Sequence, residues 1–240
     1  MTPPVSFLLP SSIYIGGDNS LDCHPLLITS DSSAELVTLT VTYAQHVPQE
    51  GQYIIITAQD KATFASSLSS SSLLTSPGSP LASTSAIIAS NRITIYHVDT
   101  LAHLRVLLSN LQHSRISFLG IDNMISLHEP ASEMSAQGVS RTIAAMVNIT
   151  SLSKGILVMR EPRGMIERSV PILNAGVSSS FSHSSAPIIR ILGRWIRGFW
   201  TQIVNEEGEC KAEWRCRGEH CQITWTLYDG EIDNVQISNM

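Results

Sequence analysis

A chain of 240 residues, 43% of them apolar, can bury one large core without a disulfide or metal staple. Its net charge of -5 excludes a broad basic coat for nucleic acid, although not a local basic patch. No stretch approaches the ~18 uninterrupted apolar residues of a membrane span. The short run Val5 to Leu9 lacks the basic flank of a secretory signal. Cys23, Cys210, Cys216 and Cys221 are therefore expected to be reduced thiols.

Leu26-Leu27-Ile28-Thr29 reads as a buried strand. Ser32 to Glu35 after it fits the S-x-x-E capping box. Leu36, Leu39, Thr40, Tyr43 and Val47 then recur at helical spacing, until Pro48 and Gly51. Tyr53 to Thr57 is a β-branched run without polar alternation, as a parallel strand covered on both faces requires. Ser66 to Ser90 is dominated by serine around Pro77, Gly78 and Pro80, and is expected to be mostly a mobile insertion.

Arg92 to Tyr96 is a third strand, followed by a Leu-rich helix that Thr100 can cap. Arg115 to Asp122 is a fourth strand ending in an acid. Glu133 to Leu152 is a helix, and Gly155 to Met159 a fifth strand. Strands alternating with helices predict βαβ units, a mostly parallel sheet and helices on both faces. Ile188 to Ile203 is apolar and aromatic. The alternating runs Cys210 to Cys216 and Cys221 to Leu227, around Arg217-Gly218-Glu219-His220, predict an antiparallel hairpin at one sheet edge. The whole of 1–240 reads as a single domain.

The ordered series resembles the RecA-like core of recombinase paralogues, from about Leu26 onward. Leu26 to Thr29 with the serine-rich turn sits where that family carries its P-loop. Phe118-Leu119-Gly120-Ile121-Asp122 resembles its Walker B strand, and Met134 to Ile149 the helix after it. Gly155 to Arg160 resembles the strand leading into a long loop that touches single-stranded DNA in that family. The resemblance implies a RecA-like mostly parallel sheet with a C-terminal antiparallel hairpin.

The chain departs from the family at the phosphate loop. A working G-x-x-x-x-G-K-[ST] wraps phosphate with backbone N–H groups and neutralises it with lysine. Here Ser30-Asp31-Ser32-Ser33-Ala34-Glu35-Leu36-Val37 has neither glycine nor lysine, and carries two acids. Ser30, Asp31, Ser32, Ser33 and Asp122 thus form a degenerate nucleotide site. No catalytic residue, metal or cofactor is expected, and Asp122 reads as a strand-end acid. The helix N-terminus still offers free amides.

Small paralogues without a P-loop resemble this chain. They work as heterodimers in Shu-type complexes, which assist a recombinase on single-stranded DNA in homologous recombination and repair. The resemblance therefore implies a RecA-like partner chain, a recombinase, single-stranded DNA bound through the complex, and a nuclear location. An ATPase-dead RecA-like subunit of the Elongator tRNA-modification complex is the alternative; Arg194-Trp195-Ile196-Arg197-Gly198-Phe199-Trp200 favours the first.

Arg160, Arg163 and Arg168, in the loop after Met159, are the DNA-binding candidates. Arg190, Arg194 and Arg197 add to that patch, although strand alternation would split Arg194 from Arg197. The spacing of Cys210, Cys216, His220 and Cys221 departs from zinc-ribbon pairs and favours buried structural cysteines. The eight histidines form no H-E-x-x-H and read as surface or loop residues. Trp195, Trp200, Trp214 and Trp225 are read as core or interface residues rather than base-stacking platforms.

Overall fold

The computed structural model describes residues 24–46, 51–70, 83–173, 185–204, 209–216, 219–228 and 231–239. Beyond Thr201 it describes backbone, with the side chain of Glu213. The runs Val5 to Leu9 and Pro77 to Pro80, and the turn at 217–218, lie outside those residues.

In chain order the elements are β1 (Leu26–Thr29), α1 (Ala34–His46), β2 (Gln52–Thr57), α2 (Lys61–Ser69), α3 (Thr84–Ser90) and β3 (Ile93–His97). Then come α4 (Leu101–Leu111), β4 (Ile116–Asp122), a 3-10 turn (Met124–His128), α5 (Ala136–Ser153), β5 (Ile156–Glu161) and α6 (Arg163–Ile166). The chain continues through β6 (Ser169–Pro171), β7 (Ser185–Pro187), α7 (Ile188–Leu192), β8 (Gly198–Val204), β9 (Glu209–Cys216), β10 (Glu219–Tyr228) and β11 (Glu231–Asn239).

One nine-stranded sheet runs β11-β10-β9-β8-β1-β5-β4-β2-β3. The six strands from β8 to β3 are parallel, and β9, β10 and β11 add antiparallel to β8. β6 and β7 form a separate antiparallel pair. The fold is α/β, a mostly parallel sheet with helices on both faces and C-terminal antiparallel strands. This is the class that the alternating sequence pattern implies.

Period-two alternation divides each strand between two cores. Leu26, Ile28, Tyr53, Ile55, Phe118 and Val158 meet α1 through Leu36, Leu39 and Tyr43. Leu27, Ile54, Ile56, Leu119, Ile121 and Met159 meet α4 and α5 through Leu104, Leu108, Ile143 and Met146. Gly120 sets how close α1 lies to β4. A Cβ there would stand 3.2 Å from Leu36 Cδ1, so a larger residue would lift the helix off the strand.

Four expectations are corrected. The serine-rich segment is helical at both flanks: Asp60 caps α2 and Ser83 caps α3 through side-chain bonds to backbone N–H groups. β5 runs two residues past Met159, so Arg160 and Glu161 are strand residues. The loop that follows contains α6 and the β6–β7 pair, although its stretch 174–184 lies outside the described residues. Finally, Ile188 to Ile203 divides into α7 and β8. β8 lies within the sheet, parallel to β1, and β11 extends the hairpin by a strand that the sequence reading did not place.

Candidate functional site

The carboxyl ends of β1, β2, β4 and β5 converge on the first turn of α1. Backbone bonds tie them together: Ser30 N–H to Glu161 O at 3.2 Å, Asn123 N–H to Arg160 O at 2.9 Å, and Ala58 N–H to Asp122 O at 3.0 Å. On the α1 face, alternation brings Thr57, Asp122 and Arg160 side by side.

Asp122 and Arg160 form a buried ion pair. Arg160 Nη1 donates to Asp122 Oδ1 at 3.1 Å, with side chains 1% and 0% exposed. Thr57 Oγ1 donates to Asp122 Oδ2 at 2.7 Å, and Ser33 Oγ to the same carboxylate at 3.1 Å. Gln59 Nε2 donates to Ser33 Oγ at 3.1 Å. A carboxylate taken out of water thus receives a cation and two hydroxyl donors, which offset its desolvation.

Two amides at the start of α1 are also taken. Ser33 N–H donates to Ser67 Oγ of α2 at 3.0 Å, and Ala34 N–H to Ser32 Oγ at 3.2 Å. Ser30 Oγ closes a turn by accepting from Ser32 N–H at 3.1 Å. Of the five degenerate-site residues only Asp31 is exposed, and Ser32 is half-buried. The expected capping box does not form. α1 begins at Ala34, Ser33 turns to Asp122, and Glu35 is buried among the same groups. Burial pushes the Glu35 carboxyl up, against the lowering effect of a Ser30 hydrogen bond and the Arg160 charge.

On the opposite face of β5, Glu161 is fully buried. Its Oε1 accepts Ile125 N–H at 3.1 Å, while Oε2 has no partner. Burial pushes its carboxyl up to about 8. His128, read as surface or loop, is instead buried, with Nε2 3.0 Å from Thr142 Oγ1 and its pKa lowered by burial. Neither Glu161 nor His128 carried a sequence signal, because both are enclosed by segments distant in the chain.

The three DNA-binding candidates separate. Arg160 is sealed beside Asp122 and has no route to phosphate, which corrects its place among them. Arg163 and Arg168 are exposed, but each holds a carboxylate. Arg163 Nε meets Glu167 at 3.0 Å, and Arg168 meets Glu129 through both terminal nitrogens at 3.3 and 3.2 Å. The aromatic segment mostly serves the core. Trp200 is 1% exposed on the α1 face, while Trp195 and Phe199 pack on the other. The side chains of Cys210, Cys216, His220, Cys221, Trp214 and Trp225 lie outside the described ones. β9–β10 register sets Cys210 opposite Trp225 and Cys221 opposite Trp214.

Fold and site together define an α/β protein in which the turn from β1 into α1 is held by its own side chains. Residues 22–240 match the SPAC22G7.03-like family, and the chain belongs to that family. No curated protein matches it.

Two outcomes are expected. Arg160→Met strands the Asp122 charge and costs about 3–5 kcal/mol, whereas adding Asp122→Asn recovers about half of that loss. Urea unfolding of both single variants and the double variant checks the coupling; simple additivity contradicts it. For Glu161, the folded pKa of about 8 lies above the ordinary 4.5, so the native state keeps a proton that the unfolded chain loses. Stability contributed by this group therefore falls as pH rises from 4.5 to about 8 and is level outside that window. Glu161→Gln removes this dependence. The parent should lose stability relative to the variant across that window, by on the order of 4 kcal/mol. Thermal melts at several pH values read the difference; a constant gap contradicts the assignment.

Proposed function

We propose that this chain is a non-catalytic, RecA-like subunit of a Shu-type recombinase-mediator complex, acting in the nucleus in homologous recombination and DNA repair. One observation carries the non-catalytic part: Asp122, Arg160, Ser33 and Ser67 occupy one another where a nucleotide phosphate and its metal would sit. An acid already neutralised by an internal guanidinium has little left to offer a magnesium ion. The recombination part rests on the sequence resemblance.

A partner chain is supported by exposed apolar area. Ile87 and Ile88 of α3 are 57% and 62% exposed, and Ile95 and Tyr96 are exposed on β3. β3 ends the sheet and pairs only with β2 among the described strands. Its run Ile93-Thr94-Ile95-Tyr96-His97 holds no acid, lysine, arginine or proline to discourage a neighbour. In this reading the RecA-like partner covers that edge, and the aromatic segment does not, since Trp200 is in the core.

The test has two arms. Calorimetric titration with ATP and magnesium should show no micromolar binding, and micromolar affinity lost on Asp122→Ala defeats the non-catalytic reading. Purification from native cells should bring down recombinase-related chains; Elongator subunits in their place would transfer the protein to tRNA modification.

If DNA is bound through this subunit, Arg163 and Arg168 are the candidates that remain. Replacing both by alanine should weaken every sequence alike. It should flatten the salt dependence of log affinity by up to about 1.4, at about 0.7 per single-strand phosphate contact. Fluorescence anisotropy of the assembled complex over a salt series measures this. An unchanged slope places the DNA contacts elsewhere.

A further inference from the structure

Four arginines hold a carboxylate: Arg105 with Glu133, Arg160 with Asp122, Arg163 with Glu167 and Arg168 with Glu129. Arg190 and Arg194 do not. Neither side chain has a hydrogen-bond or ion-pair partner among the described residues, and both line one cleft of about 310 Å³. No acid among the described residues lines that cleft.

The two guanidiniums are placed together by local structure. The sequence reading puts Arg194 and Arg197 on a strand, but α7 and the turn behind it occupy this stretch. Arg194 N–H donates to Ile191 O at 3.3 Å, continuing the helical path. Positions four apart on such a path share a side. Ile191 and Leu192 are buried beneath, so the arginines are held outward.

The facing wall is α5, and the β6–β7 pair closes the third side. Gln137 fixes that pair. Its Nε2 donates to Leu173 O at 2.7 Å and its Oε1 accepts Leu173 N–H at 3.0 Å. Ser140 and Ser185 bring hydroxyls to the lining, and Ile172 and Ile191 bring apolar surface. The first turn of α5 carries no acid, and Ser135 caps it by accepting Gly138 N–H at 3.1 Å.

We infer that this cleft receives a phosphate monoester dianion, as carried by a phosphorylated serine or threonine of a partner protein. Two forked cations match a charge near -2, and their N–H groups with two hydroxyls match three acceptor oxygens. A carboxylate or a phosphodiester, with one negative charge, would leave one guanidinium unmatched. A nucleic-acid end is disfavoured because no aromatic among the described residues lines the cleft to stack a base. The apolar wall suits the carbon atoms of a modified side chain. This assignment is independent of the recombination reading and survives its failure.

The test is calorimetry and NMR titration of the full chain with N-acetyl-O-phosphoserine methylamide, the unphosphorylated amide and inorganic phosphate. A thymidine oligonucleotide, with and without a 5′ phosphate, is titrated alongside. The phosphoserine amide should bind saturably and compete with inorganic phosphate, and the unphosphorylated amide should not bind. Arg190→Gln and Arg194→Gln should each weaken binding by about tenfold or more. Both positions are exposed, so the unfolding midpoint should not move. No saturable change by about 10 mM phosphoserine amide, or parent-like affinity in both variants, overturns the proposal. Tighter binding of the oligonucleotide at these residues, regardless of its 5′ phosphate, also overturns it and makes the cleft part of a nucleic-acid track.

Discussion

The ion pair between Arg160 and Asp122 is the constraint around which the end of the sheet is arranged. Two opposite charges lie out of water, and such a pair needs further hydrogen bonds to offset its desolvation; the carboxylate receives them, while Arg160 Nε has no partner among the described residues. That requirement accounts for Thr57 and Ser33 as hydroxyl donors, and for a register that sets Asp122 directly beside Arg160. It also bears on Gly120. Only with α1 drawn close to β4 does the Ser33 hydroxyl reach the carboxylate. The same closeness buries Glu35, and that burial raises its pKa against the lowering effect of the Arg160 charge. A phosphate loop holds its helix amides open for a ligand; here α2 supplies Ser67 to one of them.

Much of this architecture was legible in the residues. A short apolar run located β1 and a β-branched run β2, and Thr100 caps α4 through His103 N–H as the Leu periodicity after it suggests. The acids and serines after β1 were legible too, but not that Ser33 would turn to Asp122. What could not be read was where charge is buried. Arg160 and Glu161 look like the start of a loop because periodicity assigns charged residues to solvent. Only the neighbouring strand, 38 residues away in sequence, supplies the acid that lets Arg160 stay inside. The serine content of α2 and α3 misled for a related reason. Helices that short are held by caps and by packing of Phe64, Ala86 and Ala89, which composition does not report.

The arginines between Arg160 and Arg194 fall into three physical states among the described residues, and the distinction is useful for a protein of net negative charge. Arg160 is internal and structural. Arg163 and Arg168 are external but neutralised by their neighbours, and Arg168 in turn holds the Glu129 carboxyl below the usual range. Arg190 and Arg194 are external and unbalanced. A simple count of basic residues in the segment after Met159 treats all of them alike. Their pairing separates those that build the fold from those with charge left over for another molecule.

β1 is enclosed by β5 on one side and by β8 on the other, and Thr29 hydrogen-bonds Thr201 across 172 residues of chain. During synthesis the first strand of the sheet therefore waits for one of the last. At ribosomal rates of ~5–20 residues per second, Leu26, Leu27 and Ile28 spend on the order of ten seconds or more without their second neighbour. Pairing over such a separation also slows closure of the sheet. The apolar strand at the centre of the finished protein is thus the part most in need of a chaperone while the nascent chain grows. A break anywhere before β8 would leave that strand open along one side.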